Sequence, residues 1–306
     1  MKKISNQLTE MGLNRELKKD LEEAYDKALK NKDFKELVTS LGIESDVLMK
    51  YTSLLEESSR EYGNCQKCKN LLECKNKITG YTYLPIIVDN MLEFGYRPCR
   101  YQRKHQQKTA YLNNVYLFDI EDTLKGARMS DIYMDDESRY PLIVWLNDFQ
   151  KNYLKNPKQK GLYLHGNFGC GKTYLIAALF NELAKDNIKS AIIYWPEFLR
   201  NLKSSFSTNF SWKFEYIKKV PLLLIDDIGA EAVTEWGRDE ILGSILQYRM
   251  QQDLTTFFTS NLDLKILEKH LSATKDNVSN VKARRIIERI KQLTEEQKII
   301  SKNLRK

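Results

Sequence analysis

Residues Gly166, Asn167, Phe168, Gly169, Cys170, Gly171, Lys172 and Thr173 follow the pattern G-x-x-x-x-G-K-[ST], a spacing suited to holding phosphate. Backbone N–H groups must turn inward around the anion, and the three glycines permit those turns. The Lys172 ammonium is expected to reach the β- and γ-phosphate oxygens, and the Thr173 hydroxyl to ligate Mg²⁺. Cys170 sits at a variable position of the pattern and needs no role. Downstream, "PLLLIDDIGAE" delivers Asp226 and Asp227 side by side at the end of an apolar run. Adjacent carboxylates repel unless they face a cation. Asp226 is expected to hold the magnesium, and Asp227 to orient or activate the attacking water. "TTFFTSN" ends in Asn261, an amide placed to position that water or sense the γ-phosphate. The chemistry these residues imply is nucleotide hydrolysis.

Two further groups carry chemistry. In "VKARRIIERIKQL", Arg285 and Arg289 are four apart on one helical face, with Arg284 adjacent. An arginine that enters a neighbouring subunit's nucleotide neutralises charge developing on the γ-phosphoryl. A solvated or nucleic-acid-binding helix would look the same in sequence. Cys65, Cys68 and Cys74 form most of a tetrahedral zinc site. No thioredoxin-like βαβ setting surrounds the C-x-x-C to make it a redox pair. Cys99 is the expected fourth ligand and His105 a poorer one.

These groups need elements to position them. From about residue 137, a helical stretch "YPLIVWLNDFQKNYL" precedes short apolar runs that alternate with helical ones: "GLYLH", "TYLIAALFNELAK", "SAIIYW", "PEFLRNLKSSF", "VPLLLIDD", "DEILGSILQYRM" and "TTFFTSN". That alternation predicts an α/β fold, a parallel sheet with helices on both faces. Residues 1 to about 60 read as helices, with Leu13, Leu17, Leu21, Tyr25 and Leu29 forming one apolar stripe. "YTYLPIIVDNMLEFGYRPC" reads as short strands broken at Pro85, Asp89-Asn90 and Gly95. The expected domains are a helical, cysteine-containing one over 1–110, a linker or docking arm over 111–136, and an ATPase domain over 137–306. The 306 residues carry a net charge of +8, which favours polyanionic partners. No apolar run approaches the ~18 residues that span a bilayer, and "MKKISNQLTE" has no apolar stretch behind it. A cytoplasmic protein without a membrane partner is expected, and five cysteines in it are no disulfide framework.

"GLYLHGNFGCGKTYL", "IIYWPEFLR", "LLLIDDIGAE", "LQYRM", "TTFFTSN" and "KARRIIERIK" occur in an order and spacing that resembles the bacterial replicative helicase loaders, AAA+ ATPases of the DnaC/DnaI type. The likeness is specific over about 137–295 and weaker over the cysteine region. It implies an ATP- and Mg²⁺-dependent loader that binds the hexameric replicative DNA helicase and places it on single-stranded DNA, with other primosome proteins as further partners. It implies Lys172 and Thr173 as the nucleotide-binding pair, Asp226 and Asp227 as the acidic pair, and Asn261 as the first sensor. Arg285 or Arg289 would be the arginine finger, and a finger implies head-to-tail self-association into a ring or spiral. The family threads single-stranded DNA past the helix after the second strand, which here offers Arg200, Lys203 and Phe206 for phosphate contact and base stacking. An amphipathic helix with Phe198 and Leu199 in the core explains much of the same pattern. The family's zinc pattern has a histidine after the third cysteine, where this chain has Tyr81. Two other readings share the core: a transposition-helper ATPase acting with a transposase on duplex DNA, and a nucleotide-gated adaptor that hydrolyses little.

Overall fold

The computed structural model describes residues 13–88, 91–134, 136–204, 208–273 and 279–304. The chain forms two compact units, Met1–Thr109 and Ala110–Lys306.

In the first unit, helices α1 (Leu13–Ala28), α2 (Lys32–Leu41), α3 (Ser45–Leu48) and α4 (Thr52–Lys67) surround a core of Tyr25, Phe34, Val38, Leu48 and Leu55. The Asn31 side chain caps α2 by accepting from Asp33 and Phe34 N–H groups. The predicted stripe on α1 is only partly used: Tyr25 is buried, whereas Leu17 is 56% and Leu21 37% exposed. Strands β1 (Tyr81–Val88) and β2 (Met91–Pro98) then pair antiparallel in register from Tyr81↔Pro98 to Val88↔Met91. They run through Pro85 and Gly95, which were expected to interrupt them. A two-stranded ribbon leaves each strand one unpaired edge, and there proline's missing donor does no harm. Helix α5 (Arg100–Thr109) closes the unit and takes up most of the basic run.

The second unit is a six-stranded sheet, β3-β5-β6-β7-β4-β8, with every neighbouring pair parallel. The strands are β3 (Val115–Phe118), β4 (Gly161–Gly166), β5 (Ser190–Tyr194), β6 (Leu222–Asp226), β7 (Thr256–Ser260) and β8 (Thr294–Ile299). Helices α6 (Tyr140–Tyr153), α7 (Lys172–Ala184), α8 (Trp195–Ser204), α9 (Thr208–Lys219), α10 (Gly243–Gln251), α11 (Leu264–Ser272) and α12 (Asn280–Leu293) connect them, and a π-helix, Trp236–Leu242, leads into α10. The continuous apolar runs follow from burial on both faces. Leu222 and Leu224 of β6 join α6 and α7 in one core, while Leu223 and Ile225 join α8, α10 and α12 in the other. Each such side chain contributes about 1.5–3 kcal/mol.

Two strands depart from expectation. Val115–Phe118 is an edge strand beside β5, so the stretch expected as linker over 111–136 contains part of the sheet. Its four apolar residues lie in polar surroundings that hide the signal. Thr294–Ile299 pairs with β4 as the other edge. Its sequence TEEQKI reads as polar because an edge strand is only partly covered.

Candidate nucleotide site

The site is assembled at the carboxyl ends of β4, β6 and β7. Gly166 ends β4 at φ 152°, and a Cβ there would collide with the Ile299 carbonyl. Gly169 adopts φ 73°, and its missing Cβ makes room for Asn303. The loop therefore doubles back and opens α7 at Lys172, leaving that helix's first N–H groups facing the cleft.

Lys172 is buried, and its Nζ donates to the carbonyls of Gly166 (3.1 Å) and Asn167 (2.9 Å) and to Asn261 Oδ1 (2.8 Å). The other end of the Asn261 amide, Nδ2, donates to Asp227 Oδ1 at 3.1 Å. Asn261 thus links the loop lysine to the second carboxylate. Thr173 Oγ1 donates to Asp226 Oδ1 at 2.6 Å, and Thr259 Oγ1 donates to the same oxygen at 2.6 Å. Thr259 Oγ1 also accepts from the Asp227 N–H at 2.9 Å, which helps hold Asp227 in its left-handed conformation, φ 56°. Burial pushes the Asp226 carboxyl above the usual carboxylate range; the two hydroxyls oppose the shift, the Asp227 charge adds to it, and Lys172 offsets part. A deeply buried carboxylate beside a second one, with a hydroxyl at its oxygen, is a set of hard donors that suits Mg²⁺.

A cleft of about 1060 Å³ opens over this set, walled by Tyr194, Ile120, Leu124, Ile132 and Tyr133, and also by Arg139 and Leu304. The chain's last described residues cross the loop: Ser301 N–H donates to Asn167 Oδ1, and Leu304 N–H to the Gly169 carbonyl. Cys170 is fully buried, its thiol bonded to the Asn167 carbonyl. Phe168 is exposed at the cleft. Sequence reasoning missed Thr259, whose signal was a hydroxyl in an otherwise apolar buried strand end. It also missed Arg139, which has no signal until the fold places it.

Other expected residues lie apart from this cleft. Arg284 and Arg285 are exposed on α12. Arg289 is half-buried and donates to the Gly243 carbonyl at 2.9 Å; burial lowers its pKa, and the Arg285 charge adds to that. Neither Arg285 nor Arg289 lines the cleft of its own chain. On α8, Arg200 is exposed and pairs with Glu197 at 2.7 Å, while Phe198, Leu199 and Leu202 are in the core. The amphipathic reading of that helix holds. The Lys203 side chain and Phe206 lie outside the described residues.

In the first unit the thiols have separate partners. Cys65 Sγ meets Thr82 Oγ1 at 3.0 Å, Cys68 Sγ donates to the Asn70 carbonyl at 3.0 Å, and Cys74 Sγ accepts from the Gly80 N–H at 3.4 Å. The Cys99 N–H donates to the Gly80 carbonyl. Burial raises the Cys68 thiol pKa, opposed by its bond to Asn70, and Cys74, Cys65 and Cys99 add to the rise. Among the described residues no group of three or more His, Cys, Asp or Glu side chains is placed to hold a metal ion. The expected zinc set, Cys65, Cys68, Cys74 and Cys99, is thus not such a group, although the other three lie near enough for their charges to act on Cys68.

The profile of the bacterial DnaA ATPase domain matches residues 150–278. The chain is 35% identical over 279 residues to the replicative helicase loader DnaI of Bacillus subtilis (strain 168), covering 90% of each chain. It is 25% identical over 155 residues to the replicative helicase loader DnaC of Buchnera aphidicola subsp. Baizongia pistaciae (strain Bp), covering 48% of this chain and 62% of that one. A DnaI crystal structure superimposes with a TM-score of 0.57 at 45% identity, covering 64% of this chain and 99% of that chain. Among the described residues no helix is long and apolar enough to cross a membrane. Matched along nine-tenths of its length, and built on the same helix-flanked parallel sheet, the chain belongs to the DnaI family of replicative helicase loaders, whose core is an AAA+ ATPase fold.

Proposed function

We propose that this chain is an ATP-dependent loader that sets the hexameric replicative helicase on single-stranded DNA during initiation or restart of replication. The observation that carries the ATP dependence is the hydrogen-bonded line Lys172–Asn261–Asp227 beside the shared oxygen of Asp226. On nucleotide binding, Lys172 exchanges its loop carbonyls for the β- and γ-phosphate oxygens. Thr173 and Asp226 are the residues that hold Mg²⁺, which when bound neutralises phosphate charge. Asp227 turns a water toward the γ-phosphorus and accepts its proton. The water oxygen bonds to phosphorus as the bond to the β-phosphate oxygen breaks, giving ADP and phosphate. Asn261 keeps Lys172 and Asp227 aligned, and so reads whether the γ-phosphate is present.

Arg285, exposed on α12, is the better arginine finger than Arg289, which is bonded within its own chain. A finger acting on the next subunit makes turnover depend on head-to-tail assembly into a ring or spiral, stimulated by the helicase or DNA. Arg200, Lys203 and Phe206 are the proposed DNA contacts, through phosphate charge and base stacking. The unit Met1–Thr109 is the proposed grip on the helicase. A structural zinc on its cysteines remains a proposal from their spacing, and a cytoplasmic location follows from the replication role.

Co-elution of the full chain with the same organism's replicative helicase, in ATP and with mass detection, tests the reading. A complex that is lost on deleting residues 1–110 supports it. Absence of a complex, with a transposase or duplex DNA retained instead, replaces the loader by the transposition helper and leaves the ATPase assignment in place.

A further inference from the structure

Three arginines are buried among the described residues: Arg139, Arg238 and Arg249. Arg249 is fully enclosed, and its donors are used by Thr256 Oγ1 and by the carbonyls of Ile217, Val220 and Thr255. Arg238 is clamped by both Asp239 oxygens and donates to the Leu271 carbonyl. Arg238 ties the π-helix to α11, and Arg249 ties α10 to the end of α9 and the start of β7; nothing in their surroundings calls for a ligand.

Arg139 differs. It is 2% exposed, yet its Nε and Nη1 have no hydrogen-bond partner among the described residues. No carboxylate among the described residues lies within 4.0 Å of it. Asp136, three residues earlier, accepts from the Ser138 N–H and hydroxyl; these bonds hold its carboxyl low, and the Arg139 charge is the smallest of the influences on it. Backbone and neighbouring contacts hold the turn that carries Arg139. Its N–H donates to the Asp136 carbonyl, closing the short turn that opens α6, and the adjacent Ser138 hydroxyl oxygen lies 2.7 Å from the Ile300 carbonyl. The side chain lies in the wall of the nucleotide cleft, with Nη2 3.7 Å from the point where a Cβ on Gly171 would project. Gly171 immediately precedes Lys172.

A buried guanidinium without an anion is strongly disfavoured unless function supplies one. The only anion that the chemistry of this cleft calls for is nucleotide phosphate. We propose that Arg139 is a nucleotide-binding residue, its guanidinium taking a phosphate oxygen of the bound nucleotide that ATP and ADP share. This rests on the nucleotide site proposed above and adds a second cation to it, fixed on the start of α6 rather than on the loop. Arg139 would secure either nucleotide, while Asn261 and Asp227 distinguish them. The loader would therefore hold ADP after hydrolysis.

The test is calorimetric binding of ATP, ADP and adenosine to the full chain, its Arg139→Gln and Arg139→Lys variants, and Lys172→Ala. Loss of one charge-assisted hydrogen-bonding partner weakens ATP and ADP by about 10–100-fold each in Arg139→Gln. Arg139→Lys recovers part of that loss, and adenosine binds all three equally. ATP and ADP affinities within about twofold of the parent, in an Arg139→Gln protein that melts normally, overturn the proposal if Lys172→Ala has lost binding. Retained binding in Lys172→Ala overturns the nucleotide site itself, a separate outcome. Should Arg139→Gln unfold, the Arg139 Nε–H resonance of the parent, assigned through Arg139→Lys, reports the same contact. It shifts with ADP and not with adenosine, and an unmoved resonance overturns the proposal.

Discussion

In residues 110–306, Lys172, Asn261 and Asp227 form one hydrogen-bonded line, and Thr173 and Thr259 share an oxygen of Asp226. In residues 13–109, Cys65, Cys68 and Cys74 each bond to a different partner that is not a cysteine. The first group is positioned by backbone: strand ends, a glycine turn and the start of a helix place its members before any ligand arrives. In the second, Cys65 lies in the last turn of α4, Cys68 caps that helix, and Cys99 follows β2, yet no three of the thiols are placed to share a metal ion. Thiols that bind metal are commonly drawn together by the metal, so that binding and local folding are one event. A phosphate site can be preformed in a way that a thiol site need not be.

The sharpest way to break the first half of this comparison is to show that preformed residues are not enough. Arg285→Ala is expected to leave ATP binding intact and to lower turnover of the assembled protein by about 10³–10⁵-fold, because the missing charge must come from a neighbour. Arg289→Ala should instead lower the melting temperature, since it removes the bond to the Gly243 carbonyl. Turnover measured against helicase concentration, with melting curves for both variants, separates these roles. A folded Arg289→Ala that is the more impaired would transfer the finger to Arg289.

Asp227→Asn tests the line within one chain. An asparagine can still meet Asn261 but cannot take a proton, so turnover should fall by about 10²–10⁴-fold while ATP affinity is kept. Single-turnover hydrolysis with a parallel binding isotherm measures both. Unchanged hydrolysis would leave Asp227 with a merely structural place.

The same contrast explains what could be read from residue types alone. Lys172, Thr173, Asp226, Asp227 and Asn261 were legible because each is tied to a strand end or a glycine turn, and those are local. Edge strands were not: Val115–Phe118 is only four apolar residues within a polar stretch, and the half-covered Thr294–Ile299 lacks an apolar run. Pro85 misled because its meaning depends on which edge of the ribbon it faces. Leu17 and Leu21 have helical spacing, yet periodicity does not say what covers a face. Arg139 is 32 residues before Gly171 in sequence, and only the fold puts them side by side.

For the cysteines, Cys74→Ser decides which kind of site they form. Serine still accepts from the Gly80 N–H, so without metal the change costs on the order of 1 kcal/mol, about 4–8 °C in a domain of this size. With zinc bound, the loss is several-fold larger, chelation of the parent reproduces it, and metal analysis finds about one zinc per chain. A parent free of zinc, and indifferent to chelator, would sustain the contrast between the two regions.

The smallest expected effect concerns the cost of preforming the nucleotide site. Burial raises the Asp226 pKa in the folded chain above its unfolded value. An ionised carboxylate there opposes folding. The penalty is absent at low pH, where both states are protonated; it grows as pH rises past the unfolded value of about 3.9 and is complete above the folded pKa. Asp226→Asn removes the charge and keeps an oxygen for the Thr173 and Thr259 hydroxyls. The nucleotide-free variant should therefore melt above the parent at pH 7, with the gap closing as pH falls toward 4, even though it loses magnesium-dependent turnover. A variant that melts lower at pH 7 would mean that the ionised form, held by two hydroxyls and Lys172, is stabilising despite its burial. The strain would then have to lie elsewhere, and Asp227, in its left-handed backbone beside Thr259, is where it would be sought.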